Sequence, residues 1–86
     1  MDYEANYYLN RLKEVLTQRQ RVNSNYSLRA FSRDLGMHPA TLALVLQEKR
    51  PLPKKNVDYV IKKLQMTPSE ELIFRESLDQ KKSLLD

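Results

Sequence analysis

Gly36 is the only glycine among the 86 residues of this chain. Sheets need tight turns between their strands, and such turns usually need glycine. β-branched residues, which favour strands, are also sparse. A chain of this length can bury a single core of a few helices. These features predict an all-α fold, a five-helix bundle that forms one helical domain over residues 1–86.

Apolar residues recur along the chain at spacings of three and four positions. This spacing is typical of amphipathic helices that bury one face. It predicts five helices, over residues 3–22, 28–35, 39–47, 54–64 and about 68–84.

Local capping signals mark several of these helix ends. Ser27 is a good N-cap for the second helix, and Tyr26 and Phe31 stand at the two positions of a hydrophobic staple. Gly36 stands just after this helix, where a left-handed backbone is favoured. The sequence "TPSE" at residues 67–70 is typical of a capping box with proline at the first helical position.

Several classes of function are disfavoured by the residues that the chain lacks. It contains no cysteine, and His38 is its only histidine, whereas zinc takes three or four protein ligands. The carboxylates fall mainly on faces expected to be exposed, where nothing tunes them for acid–base catalysis. No apolar run approaches the roughly 18 residues that a membrane span needs. We therefore expect a cytoplasmic protein that is not an enzyme, uses no metal or cofactor and does not cross a membrane.

The net charge of +4 is distributed unevenly along the chain. Residues 1–25 contain four basic and three acidic residues, a net charge of +1. Residues 26–64 contain eight basic and three acidic residues, a net charge of +5. Residues 65–86 contain three basic and five acidic residues, a net charge of −2. The central segment is therefore where a polyanionic partner is expected to bind.

Residues 27–47 have the pattern of a helix-turn-helix, two short helices joined through a glycine turn. Ser32 is small at the position where the two helices must cross. Met37, Leu42 and Val45 are spaced to point inward and close a core.

The stretch "YSLRAFSRDLGMHPATLALVLQEKRPLPKKNVDYVIKKLQMTPSE", roughly residues 26–70, resembles the lambda-repressor-like helix-turn-helix superfamily. It is especially similar to the N-terminal region of a bacterial family of presumed transcriptional regulators, whose members generally continue into a longer C-terminal region. Shared features are Tyr-Ser-x-Arg-x-Phe, a glycine turn, and an apolar helix ending Leu-Val-Leu before Lys-Arg and a fourth helix. Glu48 and Gln65 depart from the glycines common there, and Ala43 departs from a frequent polar or basic residue. The resemblance implies a DNA-binding domain of a bacterial transcriptional regulator.

The resemblance also implies which residues face double-stranded DNA. Base-facing positions lie on and just before the third helix, at His38, Pro39, Ala40, Thr41, Ala43, Leu44 and Gln47. Phosphate-facing positions lie around the start of the second helix, in the connector and at the start of the fourth helix, at Ser27, Arg29, Lys49, Arg50, Lys54 and Lys55.

The third helix leaves two interpretations open. Strong base contacts come from Arg, Lys, Asn and Gln, but this helix offers mainly Gln47 at one end and His38 or Thr41 at the other. In the first interpretation the domain binds DNA largely through its basic residues, and thymine methyl contacts and DNA shape add a modest sequence preference. In the second, the apolar helix contacts a protein partner, which makes the domain an adaptor. His38 itself is interpreted more simply as a capping or exposed residue.

The fifth helix predicts a weak homodimer. Leu72 and Phe74 are about 200° apart around a helix, so they cannot both share the buried stripe of Ile73. Some apolar surface is then left facing outward, and Leu84 and Leu85 extend it. The candidate dimer contacts are Leu72, Phe74 and Leu78. In the alternative, this helix folds back over the bundle and hides all of them.

Overall fold

A computed structural model describes residues 6–85, except for the side chains of residues 80–85. Within this range the fold consists of five helices. They are α1 (Tyr7–Val22), α2 (Leu28–Asp34), α3 (Pro39–Leu46), α4 (Lys54–Lys63) and α5 (Pro68–Leu85). Residues 6–85 contain no strand. The predicted all-α fold with five helices is confirmed, and the last four helices end within one residue of their predicted limits. The predicted helical residues 3–5 lie outside the described part of the chain.

The core contains inward-facing residues from every helix and from the segments that join them. α1 packs against α3 and α5, and α2 packs against α3. The buried apolar residues are Tyr8, Leu9, Leu12, Phe31, Leu35, Met37, Leu42, Val45, Leu52, Val57, Val60, Ile61, Leu64 and Phe74. Val22, the last residue of α1, is apolar but 86% exposed.

A buried serine joins the start of α1 to α5. The Tyr8 N–H lies in the first turn of α1, where no carbonyl of the same helix can accept from it. It donates instead to Ser77 Oγ at 3.2 Å, and the Ser77 hydroxyl donates to the Phe74 carbonyl at 2.7 Å. The Tyr8 and Phe74 rings pack edge to face, with centroids 6.1 Å apart. This junction places Phe74 in the core.

A polar cluster attaches α2 to α1. The Tyr26 hydroxyl donates to Asp34 at 2.6 Å, while Arg19 donates to that hydroxyl at 2.9 Å and to Asp34 at 3.3 Å. The Arg19 guanidinium also lies 5.6 Å from the centre of the Phe31 ring. The Tyr26 and Phe31 rings are in edge contact, as the predicted staple requires. Both ends of α2 are therefore held against α1.

Tyr8 and Tyr26 lead us to expect a loss of stability at alkaline pH. Burial and the Glu48 carboxylate raise the pKa of Tyr8 above its ordinary value of 10.0. Burial and the hydrogen bond to Asp34 raise the pKa of Tyr26. A phenol with a raised pKa stabilises the fold fully below its unfolded pKa, and this contribution is lost as the pH rises through the folded value. Urea unfolding at a series of pH values should show the free energy of unfolding falling above about pH 10.

The matched control for this pH dependence is the double variant Tyr8→Phe with Tyr26→Phe. It cannot ionise at these positions, so its free energy of unfolding should fall less steeply at alkaline pH than that of the original chain. Equal slopes in the two proteins would contradict a role for these phenols.

Three helices end in the same backbone motif, but only one has glycine at the left-handed position. Beyond α2, the Met37 N–H donates to the Ser32 carbonyl and the Gly36 N–H to the Arg33 carbonyl. The same pair of hydrogen bonds closes α3 around Glu48 and α4 around Gln65. These are Schellman motifs, which need a positive φ at their central residue. The φ values are 69° at Gly36, 61° at Glu48 and 54° at Gln65.

Replacing Gln65 by glycine is expected to stabilise the domain. A residue with a Cβ pays roughly 1–2 kcal/mol in the left-handed region. Glycine avoids that strain, but its larger unfolded-state entropy offsets part of the gain. We expect the free energy of unfolding to rise by roughly 0.5–1 kcal/mol in urea titrations. The control Lys13→Gly, at an exposed position in the interior of α1, should lower it by about 1 kcal/mol. A destabilising Gln65→Gly would argue against the left-handed conformation.

Candidate nucleic-acid interface

The inner face of α3 is anchored in the core and its outer face is open. Leu42 and Val45 are fully buried. Positions three and four apart on a helix are neighbours, so Ala40, Leu44 and Gln47 lie on one stripe, and all three are exposed. Of the other predicted base-facing residues, His38 is exposed and Pro39, Thr41 and Ala43 are half-buried. The resulting surface is aliphatic along its length and polar at its two ends.

His38 caps α3. Its Nδ1 accepts a hydrogen bond of 3.1 Å from the Ala40 N–H, which agrees with the simpler interpretation of this residue. A neutral imidazole with an accepting Nδ1 carries its proton on Nε2. The exposed edge of the His38 ring therefore presents a hydrogen-bond donor.

The predicted phosphate-facing residues are all exposed: Ser27, Arg29, Lys49, Arg50, Lys54 and Lys55. Ser27 is the N-cap of α2, as predicted, and its Oγ accepts from the Ala30 N–H at 3.1 Å. Within the described residues, the ion pairs use other cations, namely Arg11, Arg19 and Arg75. The five candidate cations are thus not engaged by carboxylates in that part of the chain.

Backbone and amide contacts place four of these cations near the two ends of α3. At the C-terminal end, the Lys49 N–H donates to the Leu44 carbonyl at 2.9 Å, which holds Lys49 and its neighbour Arg50 against the helix. At the N-terminal end, the Asn56 amide donates to the Gly36 carbonyl at 3.4 Å. This contact sets the first turn of α4, with Lys54 and Lys55, beside the turn that precedes α3.

The connector between α3 and α4 is held by one buried side chain. Leu52 is part of the core and lies between Pro51 and Pro53, whose rings restrict the backbone. The basic residues before and after this segment are therefore attached to a fixed loop.

Sequence reasoning missed two residues that shape this region, Asn56 and Tyr59. Asn56 spans from α4 to the turn at Gly36, as described above. The Tyr59 ring covers Gly36 so closely that a Cβ at that position would lie 2.9 Å from Tyr59 Cε2. No local pattern in the sequence identifies the long-range partner of either residue.

The predicted pairing surface on α5 needs a correction. Phe74 is fully buried against Tyr8 and is no part of an outer surface, and Leu78 is half-buried against the core. Leu72 is 60% exposed and Ile73 is 41% exposed. Phe74 takes the inward position because its ring meets the Tyr8 ring and because Ser77, one turn further on, bonds to α1. Leu84 and Leu85 lie where no side chains are described, and pairing through Leu72 stays a prediction.

The described side chains contain no group of three or more His, Cys, Asp or Glu residues that could hold a metal ion. None of the helices within residues 6–85 is long and apolar enough to cross a membrane.

Comparison with known proteins finds no matching family model, and no curated protein or solved structure with significant similarity to this chain.

Proposed function

We propose that this chain is a DNA-binding helix-turn-helix domain of the lambda-repressor-like type, from a cytoplasmic bacterial transcriptional regulator. α2 and α3 form the helix-turn-helix, and α3 is the recognition helix. Binding rests largely on contacts to the phosphate backbone, because the recognition helix offers few groups that hydrogen-bond bases.

The observation that carries the proposal is the arrangement of exposed cations around an exposed helix. Lys49 and Arg50 follow the C-terminal end of α3, and the Asn56 contact to Gly36 brings Lys54 and Lys55 near its N-terminal end. A helix lying in the major groove has a phosphate strand on either side of it. Cations placed beyond both ends of such a helix can neutralise phosphates while the helix faces the base edges.

A salt titration of duplex binding tests the proposal. The logarithm of the binding constant should fall steeply and linearly with the logarithm of salt concentration, because each neutralised phosphate releases bound counterions. We expect the double variant Lys49→Ala with Arg50→Ala to weaken binding almost equally on all sequences. Its salt slope, meaning the slope of the logarithm of the binding constant against the logarithm of salt concentration, should be shallower by roughly two. This is about one for each lost phosphate contact. Fluorescence anisotropy with a pool of random-sequence duplexes measures both quantities.

Lys62→Ala with Lys63→Ala is the matched control, since it removes the same charge from the far end of α4. It should leave the salt slope close to that of the original chain. If neither the original chain nor the variants bind any duplex in a salt-sensitive way, the DNA proposal is wrong. The exposed Ala40 and Leu44 would then favour the other predicted role, an adaptor that contacts a protein through α3.

A further inference from the structure

The outer face of α3 has an unusual chemistry for a recognition helix. Its central residues are Ala40, Ala43 and Leu44, which bring only methyl and methylene groups to the surface. Leu44 is 38% exposed, Ala40 is exposed and Ala43 is half-buried. Two of the three side chains are single methyl groups, so a partner can approach the helix backbone closely.

The polar groups of this surface are confined to its ends. His38 already uses Nδ1 to cap α3, so it can only donate outward, through Nε2–H, to an acceptor such as a phosphate or base oxygen. Gln47 stands at the opposite end of the stripe, as the C-cap of the helix. Between these ends, the stripe itself has no side-chain donor or acceptor, and the hydroxyl of Thr41 stands beside it on a half-buried residue. Selectivity along the stripe must therefore come from apolar contact.

The major groove contains one apolar group at the base edges, the C5-methyl of thymine. A methylated cytosine carries the same methyl at the same ring position. We propose that α3 selects duplex DNA by the C5-methyl groups of its pyrimidines, which pack against Ala40, Ala43 and Leu44. This inference rests on the proposed DNA-binding function and names the feature of the duplex that the domain distinguishes.

Charge favours DNA over an apolar protein surface as the partner of this stripe. Lys49, Arg50, Lys54 and Lys55 are exposed near its two ends, and none forms an ion pair with a carboxylate within the described residues. An apolar partner without negative charge would leave these cations unmatched, whereas the phosphates beside the major groove match them.

Removing or adding single methyl groups in the DNA tests the inference. A tight-binding duplex is first selected from a random-sequence pool with the original chain. Thymines are then replaced one at a time by uracil, which changes only the C5-methyl. We expect about a fourfold loss of affinity for each contacted methyl, the equivalent of about 0.8 kcal/mol. The salt slope should not change, because a methyl group carries no charge.

A second set of duplexes distinguishes the two sources of the methyl. At each uracil-sensitive position, the thymine–adenine pair is replaced by a cytosine–guanine pair with or without a 5-methyl on the cytosine. The methylated form should bind several-fold more tightly than the unmethylated form. If the methylated cytosine duplex binds no more tightly than the unmethylated one, the inference holds for thymine alone and is overturned for methylated cytosine.

Two protein variants and a control connect the effect to α3. In Leu44→Ser and in Ala40→Ser, the difference between thymine and uracil duplexes should shrink to less than twofold. Val22→Ser, at an exposed apolar residue at the end of α1, should keep the full difference. If Leu44→Ser destabilises the fold, Ala40→Ser still tests the inference, because Ala40 is exposed in the first turn of α3.

The outcomes separate the inference from the function on which it rests. Salt-sensitive binding that is indifferent to every methyl overturns the inference and leaves the DNA-binding function standing. The absence of any salt-sensitive duplex binding overturns the proposed function, and the inference is overturned with it.

Discussion

Replacing Phe74 by alanine is expected to lower the free energy of unfolding by about 3–5 kcal/mol, the usual cost of truncating a large buried aromatic residue. The Phe74 side chain is fully buried, and its ring packs against the ring of Tyr8. Truncation leaves a cavity at the junction between α1 and α5, where Ser77 also bonds to Tyr8. Because a small domain has a total stability of only about 5–15 kcal/mol, this loss should be evident in urea or thermal unfolding.

Leu72→Ala is the matched control for this variant. Leu72 lies two residues away on α5 but is 60% exposed, so its truncation should change stability by no more than about 0.5 kcal/mol. Sedimentation of both variants completes the comparison. If Phe74→Ala altered self-association and left stability unchanged, Phe74 would have to lie on an outer surface, contrary to the structure.

The second large effect is expected at the turn between α2 and α3. Gly36→Val should lower the free energy of unfolding by about 2 kcal/mol or more, since the left-handed conformation is costly for any side chain and most costly for a β-branched one. The new Cβ would also meet the Tyr59 ring at 2.9 Å. Thermal unfolding monitored by circular dichroism measures the loss.

A double-mutant cycle separates the two causes. Gly36→Ala introduces both the backbone strain and the contact with Tyr59, whereas the same change in a Tyr59→Ala background introduces only the strain. The cost should therefore be smaller in that background and should not disappear. A cost of zero in both backgrounds would contradict the positive φ at Gly36.

The helix ends were predictable because their chemistry is local. Ser27 accepts from Ala30, and the Thr67 and Glu70 side chains each accept from the other residue's N–H, as a capping box requires. In each case the donor and acceptor are three residues apart, so the residue types alone indicate the hydrogen bond. The left-handed residues at Glu48 and Gln65 were not predictable from residue type, because neither favours a positive φ.

The candidate interface was predictable as a set of exposed positions but not as a geometry. Periodicity places Leu42 and Val45 inward, which leaves Ala40 and Leu44 on the outside of α3. The sequence does not indicate that Lys54 and Lys55 approach the beginning of this helix. That placement depends on Asn56, which bonds to a carbonyl 20 residues away.

Helix content, helix ends and the inward face of α3 were determined by the sequence itself, because each depends on residues within about one turn of one another. The tertiary structure decided which of Leu72, Ile73 and Phe74 is buried. Three consecutive apolar residues satisfy a helical pattern equally well in several rotations, and no local interaction distinguishes among them. The choice is made across the bundle, where the Tyr8 ring packs against Phe74 and the Tyr8 N–H, unpaired within its own helix, bonds to Ser77. A rotation of α5 that buried Leu72 instead would lose both contacts.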